Sequence, residues 1–566
     1  MDAVTFQVVQ SRLSGIVQEM QEHIFRTGYS TIIRESQDAS CMIMDAQGHV
    51  VGEHVVLPLH VACLPEVVRG VRRTFGDAIA AGDAFITNHP YLGGVPHSMD
   101  MALITPVFHA GTLVAFCGSI AHKSDLGGVV AGTAYGNARE LFQEGIQYPP
   151  VRYARGGEIV HDVDAILRAN SRTPELVTGD LRGQLGVARL GERRLAETFA
   201  RYGLNASLAT FAHKQDTTEA RIRAELALWP DGAFEAETMI DSDGISLDRP
   251  VRYHVRVEKR GDRLMFDFRE SGDQAEGPIN LRPPLVRGCC YYALIATIDP
   301  SLGNNGGVAR VVETQFRRGS LLDPHFPAAC NTYMPSTLAV TEIVLRALSG
   351  FVPERRMAGV GGADSTSIGG RRDDGSTFLQ YELMGSAYGG RASKDGVSGT
   401  AVLISNARSA PIEVIESEFP TRIRRFELIP DSGGPGQHRG GLAPRREYEI
   451  VADEAQLMLR GGRHVHPAFG RDGGEPGRVA SATLHAQGAP PVSLPSRFSG
   501  RQLLRGDRVT FDKAGGGGFG DPHRRPVDRV VGDVLDGYVS RDAAIERYGA
   551  DPADVDAALA AWLRDA

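Results

Sequence analysis

Residues 97–122 read HSMDMALITPVFHAGTLVAFCGSIAH, and this stretch decides the fold of the N-terminal part of the chain. Two apolar runs, residues 101–108 and 112–120, are separated by the turn-like sequence His109-Ala110-Gly111. Apolar runs joined by such a short link are typical of a β-hairpin. The sequence therefore predicts two antiparallel neighbouring strands whose open ends lie side by side.

Three side chains at these open ends are candidate ligands of a divalent metal. Asp100 falls opposite Ala121 or His122, depending on whether the hairpin loop holds two residues or three. A turn ahead of Asp100 would aim His97 at the same point. Two imidazoles and a carboxylate are typical ligands of zinc and related metals. The alternative is a purely structural role, because 17 histidines will place some near aspartates by chance.

The segments that flank these residues favour the metal site. Residues 88–96 read NHPYLGGVP, and residues 123–128 read KSDLGG. Such loops, rich in glycine and proline, are typical of places where the backbone approaches a ligand.

Composition limits the class of protein. The 566 residues carry a formal net charge of −8, and no run of lysine and arginine is present. This argues against nucleic acid or an anionic membrane as the main partner. The six cysteines show no C-x-x-C spacing, which predicts neither a zinc ribbon nor a disulfide framework. The first residues do not resemble a secretory signal, so we expect a soluble protein in the cytoplasm.

The pattern along the chain predicts a mixed α/β (α+β) protein with several units. Residues 5–27 show helical spacing, residues 40–51 read as a second hairpin, and residues 167–226 are mainly helical. Alternating strands follow, then a helix over residues 336–348. We expect an N-terminal metal-binding unit of sheet and helix (1–228), a central mixed unit (229–412), a strand-rich unit (413–522) and a helical tail (523–566).

Two glycine-rich runs, residues 359–362 and 515–520, resemble phosphate-binding loops only superficially. A Walker loop needs Gly-Lys-Ser/Thr at the start of a helix, but here Lys513 precedes the second run and Pro522 follows it. A dinucleotide loop needs a βαβ setting that neither run shows. We therefore interpret both runs as tight turns or close backbone packing.

Several motifs in order along nearly the whole chain resemble the hydantoinase B/oxoprolinase family. The motifs cover residues 34–40, 88–100, 121–128, 144–150, 179–181, 431–441 and 515–522. Members of this family include B-type subunits of ATP-dependent hydantoinases and lactamases, the C-terminal half of oxoprolinase, and a subunit of acetone and acetophenone carboxylases. The sequence departs from the family pattern at His89, where Asp is usual, and in a link lengthened by one residue at Val95-Pro96. His89 is thus an alternative extra ligand.

The resemblance implies a division of labour between two subunits. An A-type ATPase partner of the sugar-kinase-like class would use ATP with Mg to phosphorylate the substrate carbonyl or enol oxygen. The B-type subunit would bind Mn, Zn or Fe through His97, Asp100 and His122, with Asp38 as a fourth ligand, and complete the ring opening of a small cyclic amide. Asp125 and Glu144 would then act as general base or orient His122. The assembly would be a hetero-oligomer, dimeric or higher.

Two alternatives stay open at this point. The same ligands would serve an ATP-dependent carboxylase subunit of the acetone or acetophenone type, in which the metal steadies an enolate. The chain could also be a metal-stabilised scaffold whose chemistry lies wholly in the partner. Open coordination positions would favour catalysis, and a metal fully coordinated by protein would favour the scaffold.

Overall fold

The computed structural model describes residues 3–53, 57–132 and 135–565. The chain divides into two compact units that are discontinuous in sequence. Unit 1 contains Met1–Thr238, Arg252–Phe351 and Ile404–Ala410, and unit 2 contains Met239–Val251, Val352–Leu403 and Pro411–Ala566. Helices and several sheets occur together, which confirms the mixed α+β class. The division into four consecutive parts stays a prediction.

Unit 1 holds helices α1 to α9 among the described residues. Their bounds are α1 (Ala3–Thr27), α2 (Thr31–Arg34), α3 (Cys63–Phe75), α4 (His161–Ala169), α5 (Pro174–Tyr202), α6 (Leu204–Leu228), α7 (Pro283–Ile298), α8 (Gly306–Val311) and α9 (Met334–Leu348). The helices predicted over residues 5–27 and 336–348 correspond to α1 and α9. α1 packs on α5 and on the first two strands through the apolar side chains that recur at helical spacing, such as Leu13 and Val17.

The strands of unit 1 form two sheets. Their bounds are β1 (Ala39–Asp45), β2 (Val50–Glu53), β3 (Ala84–Thr87), β4 (Asp100–His109), β5 (Thr112–His122), β6 (Val151–Arg155), β7 (Glu158–Ile159), β8 (Gly232–Ile240), β9 (Val251–Arg260), β10 (Arg263–Asp267) and β11 (Val312–Gln315). The larger sheet has the order β2-β1-β5-β4-β3-β6-β7, and the smaller has the order β11-β10-β9-β8. Helix α5 covers β4 and β5, so the central hairpin is buried.

The hairpin β4–β5 has the register that matters for the site. Its loop holds two residues, Ala110 and Gly111, with φ of 49° and 81°, and His109 pairs with Thr112. A two-residue loop alone would set Asp100 opposite Ala121. The partner of Val107 is Ala115 whereas the partner of the next residue is Leu113, so Val114 is an extra residue in a β-bulge. The bulge moves the register by one residue and pairs Asp100 with His122.

Unit 2 is strand-rich, as predicted for residues 413–522, and ends in helices. Its elements are β12 (Asp364–Arg371), β13 (Thr377–Met384), α10 (Ile412–Glu418), β14 (Thr421–Leu428), β15 (Pro444–Ile450), β16 (Glu454–Arg460), β17 (Ser481–His485), β18 (Val492–Leu494), β19 (Arg497–Leu504), β20 (Arg508–Asp512), α11 (Val527–Leu535), α12 (Arg541–Glu546) and α13 (Pro552–Asp565). Sheets of order β13-β12-β16-β19 and β14-β15-β20-β17-β18 share one apolar core. None of the described helices combines the length and apolar content needed to cross a bilayer.

Both glycine-rich runs lie in close backbone packing, as interpreted from the sequence. The backbone N–H groups of residues 515–519 all donate to backbone carbonyls of other segments, at 2.8–3.0 Å. In the first run, the N–H groups of Gly359 and Gly361 donate to Phe469 and Ala387, both at 2.8 Å. A Cβ on Gly516 would overlap the carbonyl oxygen of Tyr388. Glycine is therefore required here by the approach of neighbouring backbones.

Candidate metal centre

Three adjacent strands of the large sheet bring Asp38, His122 and Asp100 into one row. Asp100 begins β4 and pairs with His122 at the end of β5. Asp38 directly precedes β1, and its carbonyl accepts a hydrogen bond from the backbone N–H of His122 at 3.2 Å. Residues directly opposite one another project to the same face of a sheet. The three side chains therefore converge, and the pairing of Asp100 with His122 is one of the two registers that the hairpin prediction left open.

His97 completes the cluster from the loop ahead of β4. The N–H of Asp100 donates to the carbonyl of His97 at 3.1 Å, which forms the turn expected between these residues. His97 Nε2 lies 3.2 Å from Asp100 Oδ1, and His122 Nδ1 lies 3.3 Å from the same oxygen. Asp38 Oδ2 is more distant, 3.8 Å from His122 Nδ1. One ligand atom each of His97, Asp100 and His122 lies within 4.8 Å of the others, and all three side chains are buried.

A third imidazole, His60, faces the second oxygen of Asp100. His60 lies in the 3-10 helix Pro58–Ala62 and is fully buried. Its Nε2 is 3.6 Å from Asp100 Oδ2, and its Nδ1 is 3.0 Å from Ser40 Oγ. Asp100 is thus enclosed by imidazoles on both of its oxygens.

Several polar atoms of this cluster lack hydrogen-bond partners. Among the described residues, none forms a hydrogen bond of acceptable geometry with either oxygen of Asp100 or with Nε2 of His60 or His97. Buried polar atoms without partners are costly, and in native proteins they often mark an ion site.

The contacts of His97 explain why a cation fits between these groups. Asn331 Oδ1 lies 2.7 Å from His97 Nδ1. An amide oxygen only accepts, so Nδ1 carries the hydrogen, and in the neutral ring Nε2 presents a lone pair to the Asp100 carboxylate. Two acceptors 3.2 Å apart repel one another unless a positive charge lies between them. The residues present therefore fit a divalent metal ion.

Asp125, one of the predicted catalytic carboxylates, is held by neighbouring donors. Its side chain accepts hydrogen bonds from the N–H groups of Gly132 at 2.9 Å and Arg172 at 2.6 Å. The guanidinium of Arg172 forms an ion pair with Asp125 at 2.9 Å and also reaches the carbonyl of Gly128 at 2.7 Å. These contacts favour a role in holding the loop after β5. A catalytic role for Asp125 stays a prediction.

Glu144, the other predicted catalytic carboxylate, is fully buried. Its Oε1 accepts the backbone N–H groups of Cys330 and Asn331, both at 2.7 Å, and its Oε2 accepts the hydroxyl of Ser98 at 3.0 Å. Burial raises the pKa of Glu144 to about 7 against the lowering effect of these donors. Glu144 thus forms hydrogen bonds with both Ser98, which follows His97 in the chain, and Asn331, which contacts the His97 ring.

His89 lies apart from the cluster. Its Nδ1 accepts the backbone N–H groups of Tyr91 and Leu92 at 3.2 and 3.3 Å, and its ring stacks on Phe326 at 5.9 Å between centroids. Burial, with a smaller contribution from the nearby Arg282, lowers the pKa of His89 to about 4. Because Nδ1 accepts, Nε2 carries the hydrogen of the neutral ring and has no lone pair for a metal, so the contacts favour a structural role over the alternative of an extra ligand.

Two residues of the centre, His60 and Asn331, were missed by sequence reasoning. His60 lies in the apolar run LPLHVA, residues 57–62, and a single polar residue in such a run is the signal that could have found it. Asn331 lies far along the chain in the stretch AACNTYM, residues 328–334, which carries no ligand spacing. Only long-range packing reveals that it contacts His97.

Fold and site together define a mixed α+β protein with a buried His/Asp cluster suited to a divalent metal. A family model described as hydantoinase B/oxoprolinase matches residues 2–522. The chain belongs to the hydantoinase B/oxoprolinase family.

Similar proteins agree with this assignment. A protein of Pseudomonas sp. (strain NS671), provisionally named as a B-type D-/L-hydantoinase subunit, is 31% identical over 97% of this chain and 95% of its own length. The caprolactamase beta subunit of Pseudomonas jessenii is 30% identical over 97% of this chain and 96% of its own length. In a crystal structure of the ATP-dependent caprolactamase from Pseudomonas jessenii, one chain superposes with a TM-score of 0.91 and 28% identity, covering 97% of this chain and 96% of that chain.

Proposed function

We propose that this chain is the metal-holding B-type subunit of an ATP-dependent enzyme that opens small cyclic amides. In this proposal an A-type ATPase partner phosphorylates the substrate carbonyl oxygen, and the present subunit completes hydrolysis in the cytoplasm. The single observation that carries the proposal is the buried cluster of His97, Asp100 and His122, whose facing acceptors suit a divalent cation. Membership of the family and the similarity to hydantoinase and caprolactamase subunits support it.

Each residue of the cluster has a separate task in this proposal. His97 and His122 offer neutral nitrogens, Asp100 supplies the negative charge, and Asp38 extends the donor set from the neighbouring strand. His60 faces the second Asp100 oxygen at 3.6 Å and is a further imidazole next to the cluster. When bound, a divalent metal acts as a Lewis acid that activates water and polarises a carbonyl. Three protein ligands would leave a four-coordinate metal one position for water or substrate, which favours catalysis over a scaffold role; with Asp38 also bound, an open position would need a higher coordination number.

The packing of the glycine-rich runs supports an ATP site on the partner. Phosphate loops bind anions with backbone N–H groups that are free of other partners. The N–H groups of residues 515–519, and those of Gly359 and Gly361, already donate to backbone carbonyls. These N–H groups are therefore not available to a nucleotide.

The proposal is tested with the complete complex and a matched pair of variants. Asp100→Ala removes a buried ligand, whereas Asp162→Ala removes a carboxylate whose side chain is 94% exposed. We expect Asp100→Ala to lose the stoichiometric metal and the ring-opened product, while the partner's substrate-stimulated phosphorylation survives, because only the second half-reaction needs the metal. Metal content is measured by mass spectrometry, nucleotide turnover by phosphate release, and ring opening by chromatography of hydantoin, lactam and oxoproline substrates.

Two results would overturn the proposal. Equal metal content in wild type and Asp100→Ala after dialysis would show that the ligands are wrong. Incorporation of labelled bicarbonate, with no ring-opened product from any cyclic amide, would replace the hydrolase with the carboxylase alternative.

A further inference from the structure

A segment from a distant part of the chain, residues 328–333, is fixed against the metal centre. Five successive residues of this segment, 328–332, form hydrogen bonds with other segments. Tyr91 Oη donates to the carbonyl of Ala328 at 2.7 Å, and the carboxamide of Asn280 donates to the carbonyl of Ala329 at 3.0 Å. Glu144 accepts the N–H groups of the next two residues, and the N–H of Thr332 donates to the carbonyl of Pro278 at 2.7 Å. The segment is buried and rigidly held.

The side chain of Asn331 projects from this segment onto His97. Its Oδ1 lies 2.7 Å from His97 Nδ1, and both side chains are buried. A hydrogen bond of this kind selects the tautomer of a histidine and fixes the plane of its ring. With the hydrogen held on Nδ1, the lone pair of Nε2 is directed at the position next to Asp100 Oδ1.

Glu144 links the two sides of this contact. One of its oxygens holds the backbone of Asn331, and the other holds the hydroxyl of Ser98, the residue that follows His97. The donor and the acceptor of the hydrogen bond between His97 and Asn331 are therefore braced by the same carboxylate. Since both oxygens accept hydrogen bonds from the chain itself, the contacts favour a bracing task over proton transfer to a substrate.

We propose that Asn331 is a positioning residue that presets the tautomer and orientation of His97 for metal binding, and that Glu144 acts through Asn331 and Ser98 as its brace. The inference rests on the proposed function, because it assumes that His97 binds the metal. In this inference both residues increase the affinity of the site for metal, and Glu144 is not the general base.

Metal affinity of the purified full-length chain, measured by competition with a chromophoric chelator for Zn²⁺, tests the inference. Asn331→Ala should weaken the affinity by about 10- to 100-fold, the usual cost of removing a partner of a metal-binding histidine. Asn331→Asp keeps an acceptor oxygen within reach of His97 Nδ1 and should retain wild-type affinity. The control Asn205→Ala, at an exposed position of α6, should also leave affinity unchanged.

Glu144→Gln supplies the second part of the test. The carboxamide keeps one acceptor oxygen for the two backbone N–H groups, but its NH2 group only donates, so the Ser98 hydroxyl loses the acceptor of its hydrogen and must turn to accept instead. We expect weaker metal binding, and we expect the double variant with Asn331→Ala to be little weaker than either single variant, because both changes act on one contact. The absorption spectrum of the Co²⁺ form should shift in the same variants, since it reports ligand geometry apart from turnover.

The outcomes separate this inference from the proposed function. If wild type binds no metal, the proposed function itself fails. If wild type binds metal and Asn331→Ala binds it equally well, the positioning role of Asn331 is wrong. If Glu144→Gln abolishes ring opening with unchanged metal affinity and Co²⁺ spectrum, Glu144 is a catalytic base. Circular dichroism checks folding of each metal-free variant, and Asn331→Leu, which keeps the volume without the acceptor, replaces Asn331→Ala if the latter does not fold.

Discussion

Unit 1 should be less stable at mildly acidic pH, because the ring of His89 binds a proton more readily in the unfolded chain than in the folded chain. The neutral ring accepts the N–H groups of Tyr91 and Leu92 at Nδ1, so adding a proton there breaks both hydrogen bonds. The pKa of His89 falls from the ordinary 6.5 to about 4 in the folded chain. Between these two pH values the unfolded chain binds the proton and the folded chain does not, so the free energy of unfolding decreases as the pH falls.

The size of the effect follows from the two pKa values. The full difference corresponds to about 3 kcal/mol, of which about 2 kcal/mol is lost between pH 7.5 and pH 5. His89→Asn should remove this pH dependence, because Asn Oδ1 can accept the same backbone N–H groups without titrating. The free energy of unfolding of the variant minus that of wild type should therefore be about 2 kcal/mol higher at pH 5 than at pH 7.5.

Urea unfolding followed by tryptophan fluorescence measures this difference. The chain has two tryptophans, Trp229 in unit 1 and Trp562 in unit 2. In a Trp562→Phe background, the buried Trp229 reports on unit 1 alone. His161→Asn, which alters a side chain that is 93% exposed, is the control and should follow wild type at both pH values. A difference between wild type and His89→Asn that stays constant from pH 7.5 to pH 5 would refute the reasoning.

Two further predictions concern the glycine-rich runs. The isolated chain should show no micromolar binding of Mg-ATP in calorimetry, because the N–H groups of residues 515–519, Gly359 and Gly361 already donate to carbonyls and neither run has the phosphate-binding motif; binding at that level would revive residues 359–362 or 515–518 as a nucleotide loop. Gly516→Ala should lower the stability of unit 2 by about 1–3 kcal/mol or more, because the added Cβ meets the Tyr388 carbonyl. Gly532→Ala, where the new Cβ meets nothing within 4 Å, is the control, and equal thermal stability of the two variants would contradict the packing argument.

The sequence by itself determined much of the local structure around the site. The apolar spacing in residues 5–27 predicted α1, and the runs that flank Ala110-Gly111 predicted the hairpin β4–β5. These patterns are readable because helices and strands repeat their contacts every few residues, so a short stretch contains the whole signal. The same locality brought Asp100 close to the end of β5, and the turn from His97 to Asp100 required only neighbouring residues.

The tertiary structure decided the rest. The sequence left the partner of Asp100 open between Ala121 and His122, and the bulge at Val114 selected His122. His60 and Asn331 come from segments whose own patterns are apolar or irregular, and they meet the cluster only after the sheet and its covering loops have packed. A local sequence pattern does not predict such contacts, because the geometry of a contact between distant segments depends on how the intervening helices, strands and loops pack.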